Sequence, residues 1–185
     1  MIRWLLKAPK ALYAAHAGRL LGHRFLLLVH RGRRSGRPYA TVLEVLAWDG
    51  ATQEAVVMSG FGRQAQWYRN VMAAGTAEIE IAGERWPARL RALEPAEGAD
   101  VLAAYEARNR LARPLVRRVL SRLAGLDYDG SQAARRELVA RLPLLAFVRS
   151  EGGDSDRAEG ARLTGSPARS GRGDAPAPPR GGRRA

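Results

Sequence analysis

Two short segments hold the residue types that can do chemistry. The first is Arg31-Gly32-Arg33-Arg34-Ser35-Gly36-Arg37-Pro38, set between two apolar runs. Its glycines let the backbone turn tightly and present its amides, and its guanidiniums supply forked donors for phosphate or carboxylate. That makes an anion clamp; read alone, a loop of this kind is more often a solubilising hairpin tip. The GxxxxGK[ST] pattern of a phosphate-binding P-loop is absent. The second segment, Val57-Met58-Ser59-Gly60-Phe61-Gly62-Arg63-Gln64-Ala65-Gln66-Trp67-Tyr68-Arg69-Asn70, reads as a strand running through a glycine loop into a helix. Loop and helix start offer unpaired N–H groups, and a flat ring can lie against the strand end near Ser59. Trp67 and Tyr68 can wall such a ring. The structural alternative is that Trp67 packs under a barrel while Asn70 ties the loop together.

No paired acid and base stands out. His16, His23 and His30 lack metal-ligand spacing and read as structural or surface residues, so no metal site is expected. GxSxG, HExxH and a GxGxxG after a strand are all missing, which counts against a hydrolase. It does not count against hydride chemistry, where the cofactor reacts and the protein orients it. Tyr39 and Tyr105 are the candidate proton donors to an acceptor.

The elements that must position these residues are strand-rich first and helix-rich later. Phe25–Val29 and Thr41–Trp48 read as strands, the second ended by the Asp49-Gly50 turn signal, and Glu54–Met58 as a third. A short helix follows around Trp67–Ala74. In TAEIEIAGERWPARLRAL, Ile79 and Ile81 alternate with Glu78 and Glu80 and Ala82-Gly83 makes a hairpin turn. Pro87 places the second arm at an edge or bulge. Pro95 to Arg141 reads as helices broken at Pro114 and near Leu126–Gly130, and Leu144–Val148 as a returning strand. Antiparallel strands with few intervening helices predict an α+β fold, a small antiparallel split barrel flanked by helices, rather than a doubly wound sheet.

The chain has 185 residues, enough for one core, and no cysteine, which excludes disulfides, thiolate metal sites and a cysteine nucleophile. Its 31 basic against 18 acidic residues give +13, but only Lys7 and Lys10 are lysine, so coding bias towards arginine dilutes the case for nucleic acid. Residues 1–150 hold +11 of that charge. Residues 1–21 read as an amphipathic helix (Leu5, Leu12, Ala15, Leu20) covering the barrel, too short and too charged to span a bilayer. Peripheral contact with an anionic membrane through Trp4, Arg3, Lys7 and Lys10 is the sharper reading of that helix. Residues 22–150 form the binding domain, and residues 151–185, rich in Gly, Pro and Arg, read as a disordered tail.

Taken together, the two segments resemble the deazaflavin (coenzyme F420)-dependent nitroreductase family, with the FMN-binding split-barrel-like fold of flavin reductases. "RLLGHRFLLLVHRGRRSGRP" is similar to the family's first strand and G-R-[RK]-[ST]-G-x-P loop. "VVMSGFGRQAQWYRNVMAAG" is similar to its strand, loop and W-Y-x-N helix, followed by "AEIEI". The resemblance covers roughly residues 20 to 150. It implies a cytoplasmic oxidoreductase moving a hydride from reduced F420 to an electron-poor small molecule such as a quinone, an activated alkene or a nitro compound. It also implies that Arg33, Arg34 and Ser35, with Gly36 giving close approach and Arg37 adding charge, hold the coenzyme's phosphate and acidic tail. Met58, Ser59 and Gly60 would hold the ring, bordered by Trp67 and Tyr68. Split barrels of this type often form homodimers. The rivals are an FMN- or heme-binding barrel, a coenzyme carrier with little turnover, and a non-enzymatic protein using its basic surface on nucleic acid or membrane.

Overall fold

In the computed structural model, residues 22–150 are described; the helix expected in 1–21 and the tail expected from 151 lie outside the described residues. Six strands arise where apolar residues alternate or run together: β1 (Phe25–Arg31), β2 (Pro38–Asp49), β3 (Glu54–Met58), β4 (Thr76–Ile81), β5 (Glu84–Ala92) and β6 (Leu144–Arg149). All neighbours are antiparallel, and the order β1-β2-β3-β6-β5-β4 closes into a barrel. Four helices accompany them among the described residues: α1 (Gln66–Ala74), α2 (Pro95–Arg108), α3 (Arg113–Ala124) and α4 (Gln132–Arg141).

The period-2 pattern sorts side chains to the two faces of the wall. Leu26, Leu28, Val57, Ile79, Ile81, Trp86 and Phe147 fill the interior, and α1 adds Trp67, Tyr68 and Val71 to the same core. Outside, Leu46, Val56, Leu144 and Ala146 pack beneath Leu102, Leu120 and Leu138 of the helices. Strands β3 and β6 are covered on both faces, which is why their sequences are continuously apolar rather than alternating.

Turn chemistry agrees with the strand ends. Ala82 (φ 51°) and Gly83 (φ 84°) are both left-handed, the conformation that matches strand twist in a two-residue hairpin. Asp49 Oδ1 accepts the Ala51 amide at 2.8 Å. Pro87 requires a correction. In a closed barrel β5 is not an edge, since it pairs with β4 through Glu78↔Pro87 and with β6 from Ala88↔Arg149. The Ser150 amide donates to the Pro87 carbonyl at 3.0 Å, so the missing proline donor falls at the last rung of the β5–β6 ladder, where it breaks nothing.

The helical layer is tied together by a buried charge. Glu106 of α2 is 2% exposed and takes the Tyr128 hydroxyl at 2.6 Å, Arg135 of α4 at 2.8 Å and Arg117 of α3 at 3.2 Å. Burial would raise its carboxyl pKa, but these three donors outweigh it and hold the value below the ordinary range.

Candidate functional site

The arginine-rich loop is a tight β1–β2 connection. The Gly32 amide donates to the Arg37 carbonyl at 2.9 Å and the Gly36 amide to the Gly32 carbonyl at 2.8 Å, with Gly36 left-handed at φ 64°. The pairing runs further than the sequence predicts, from Phe25↔Glu44 to Arg31↔Pro38, because both strands continue past the end of their apolar runs. A Cβ at Gly32 would lie 2.6 Å from Ser35 Oγ and 2.8 Å from the Tyr39 ring, so glycine there lets both side chains lie over the loop. That ring stacks on His30 at 5.9 Å, and its hydroxyl is 3.4 Å from Ser35 Oγ.

Helix α1 meets this loop. Asn70, 6% exposed, accepts the Arg33 amide at 3.2 Å and Arg33 Nη1 at 3.1 Å through Oδ1. Arg33 Nη1 also donates to Gln66 Oε1 at 3.0 Å. Both Arg33 groups can only donate, so Oδ1 must face them and the Asn70 NH2 must face His30 Nδ1 at 3.2 Å. His30 therefore carries its proton on Nε2, and burial lowers its pKa. Two segments more than thirty residues apart are fastened by this chain of bonds.

Fastening leaves the cations around it free. Arg34, Arg37, Arg63 and Arg69 are exposed, and none has a carboxylate partner among the described residues. The Arg33 guanidinium pKa is lowered, by desolvation and then by the charges of Arg69 and Arg34, which marks the crowding of positive charge. Ala65 precedes α1 and no side chain caps the helix, so its first amides face this region uncapped.

The strand-end loop packs on the other side of α1's start. Ser59 is fully buried; its amide donates to the Pro143 carbonyl at 2.9 Å and its hydroxyl to the Gly62 carbonyl at 2.7 Å. Gly62, at φ 62°, sits where a Cβ would come within 2.8 Å of the Arg141 carbonyl. Met58 packs with the helical layer, and a Cβ on Gly60 would stand 3.6 Å from Leu123 of α3. The amides of Gly60 and Phe61 donate to no group among the described residues.

The structure brings together Arg33, Arg34, Ser35, Gly36, Arg37 and Tyr39 with the head of α1. It places Trp67 and Tyr68 inside the barrel, 9% and 6% exposed, rather than at its surface as ring walls; they seat α1. Tyr105 is elsewhere: its hydroxyl donates to Glu44 Oε1 at 2.9 Å, and burial and then the Glu44 charge push its pKa up to about 12. Glu44 lies opposite Phe25, about 20 Å along β1 from Arg31. Sequence reasoning missed Gln66 and Arg69. Their signal was position, since Gln66 stands four residues before Asn70 and three before Arg69 on α1 and so neighbours both.

A closed six-stranded antiparallel barrel with an arginine loop fastened to a helix at its wall is the split-barrel fold. The sequence model of the F420H(2)-dependent quinone reductase family matches residues 2–115, and the chain belongs to that family. F420H2-dependent quinone reduction is the chemistry that the family's description names. Among solved structures, a protein of unknown function from Agrobacterium tumefaciens is 16% identical at TM-score 0.47, over 76% of this chain and 55% of that one. The chain thus spans about half the length of that protein. A pyridoxamine 5'-phosphate oxidase-related, FMN binding protein from Nostoc punctiforme is 16% identical at TM-score 0.44, over 76% and 78%. An F420-H2 dependent reductase, FDR-A, is 18% identical at TM-score 0.39, over 70% and 96%. No curated protein matches. No helix among the described residues is long and apolar enough to cross a membrane.

Proposed function

We propose that this protein binds reduced F420 across the head of α1 and passes its hydride to an electron-poor acceptor, a quinone, an activated alkene or a nitro compound. The observation that carries the reading is the Arg33–Asn70–His30 fastening, which presents Arg34 and Arg37 beside uncapped helix amides. A coenzyme ending in phosphate and an acidic tail fits unpaired cations and free N–H groups. Bound there, the coenzyme supplies a hydride.

The chain's own residues bind and orient. Arg34, Arg37 and the Ser35 hydroxyl contact the anionic end, with Gly36 letting the backbone approach closely, while Arg33 positions the loop. The free Gly60 and Phe61 amides, at the strand end that includes Met58 and Ser59, hold the ring edge. Trp67 and Tyr68 act from the core by fixing α1. The proton for the acceptor comes from Tyr39 or solvent, because the Tyr105 hydrogen is held by Glu44. A second copy of the chain has a place to pair as well: among the described residues Pro38–Glu44 of β2 makes a strand ladder only with β1, the β3 ladder beginning at Val45.

Fluorescence titration with F420 and FMN in parallel tests this. Saturable F420 binding is expected, and Arg34→Ala and Arg37→Ala should each weaken it roughly tenfold, since each removes a charge-assisted hydrogen bond to the coenzyme. Binding of FMN alone overturns the cofactor assignment, and unchanged affinity in the double variant overturns the clamp.

A further inference from the structure

The strip from Ala107 to Leu126 contains six arginines and no acidic residue. Two are engaged inward: Arg117 on Glu106, and Arg108 on the Leu46 carbonyl. The other four, Arg110, Arg113, Arg118 and Arg122, are exposed and pair with no carboxylate among the described residues. Among them stand two leucines that a soluble surface does not explain. Leu111, in the turn between α2 and α3, is fully exposed, and Leu115, one turn further on, is 65% exposed. On α3, Leu115, Arg118, Val119 and Arg122 are three, four and seven residues apart and so share one side.

We propose that the α2–α3 turn and the outer side of α3 seat this protein on an anionic lipid bilayer. Leu111 and Leu115 enter the boundary between headgroups and acyl chains, and the four free arginines meet lipid phosphates. Charge complementarity selects this occupant, because cations flanking protruding aliphatic side chains are the composition of an interfacial helix. A nucleic-acid backbone would use the arginines but gives exposed leucines nothing to enter. The docking is independent of the coenzyme reading. One consequence does rest on that reading: Leu123 of α3, one turn from Val119, lies against Gly60, and Phe61 beside it is 69% exposed, so an acceptor dissolved in the bilayer would arrive at the strand-end loop.

The test is co-sedimentation of the full chain with phosphatidylcholine vesicles, with and without about one-third phosphatidylglycerol, alongside F420 titration in solution. Expected is partitioning to the anionic vesicles that falls about 25-fold in Arg118→Gln/Arg122→Gln, roughly fivefold per arginine. Leu111→Ser/Leu115→Ser should lose partitioning at least about tenfold while melting temperature and F420 affinity stay the same. A Leu115→Trp variant should shift its emission to the blue on anionic vesicles. Equal partitioning of both double variants, or salt-sensitive binding to duplex DNA without vesicle binding, overturns the proposal. Loss of F420 binding in the unmodified chain would instead strike the coenzyme reading and leave this one standing.

Discussion

Replacing Asn70 with alanine removes the side chain that joins the loop backbone to both α1 and His30, and leaves Arg33 only its bond to Gln66. Its Oδ1 holds the Arg33 amide and its NH2 holds His30 Nδ1. Each neutral bond contributes about 1 kcal/mol, and the buried His30 nitrogen, left without a donor, adds roughly another 1 kcal/mol, for a total of ~2–3 kcal/mol. The exposed Arg33 guanidinium regains water and adds nothing to that sum. At an unfolding entropy of about 2.1 cal/mol/K per residue over the described domain, the melting temperature falls by about 7–11 °C. Below that temperature the variant stays folded, but its loop is held to α1 only through the exposed Arg33–Gln66 bond, and F420 affinity drops at least about tenfold. Asn70→Asp separates the two effects. The carboxylate still accepts from Arg33, so stability falls less, whereas the added negative charge repels the coenzyme and affinity falls as far. Scanning calorimetry and fluorescence titration on the same preparations read both. A melting temperature within about 2 °C of the parent together with affinity within about twofold would refute the fastening argument.

His30 and Glu106 give two further tests. Because burial depresses the His30 pKa, the unfolded chain binds the extra proton more readily; stability is complete above the unfolded value near 6.5 and declines as pH falls through it towards the folded value. Chemical denaturation between about pH 7 and 5 should show a loss of at most ~1.4 kcal/mol per pH unit from this group, absent in His30→Gln. Glu106→Gln leaves Arg117 and Arg135 facing no charge in the helical layer, and urea unfolding should report ~3–5 kcal/mol less stability. F420 affinity measured well below its melting point should be unaltered, since the network lies outside the barrel and away from the arginine loop.

Local chemistry was legible wherever neighbours in sequence decide the outcome. Alternation at Ile79 and Ile81, the Ala82-Gly83 turn, the run Glu54–Met58 and the prolines at 95 and 114 fixed the strands, the hairpin and the helix starts. The order of the two motifs pointed to the family. Less was legible at Pro87, where closure of the barrel, a property of all six strands at once, turned a supposed edge into the end of a ladder.

Spacing says that Trp67, Tyr68 and Asn70 lie on one short helix, but not which side enters the barrel. Core packing decided that: the two large rings join the residues of the barrel interior, and Asn70, beside them, meets Arg33 and His30. Ser59 likewise looked available in the sequence, and the tight Gly62 turn against Arg141 draws its hydroxyl inward. No sequence pattern announces that Glu106 collects Tyr128, Arg117 and Arg135 across three elements. By itself the sequence determined which residues could bind an anionic coenzyme, because residue type and local backbone follow from near neighbours. Only the tertiary structure decided which of them remain free to do so, because long-range packing chooses the partners of every polar atom.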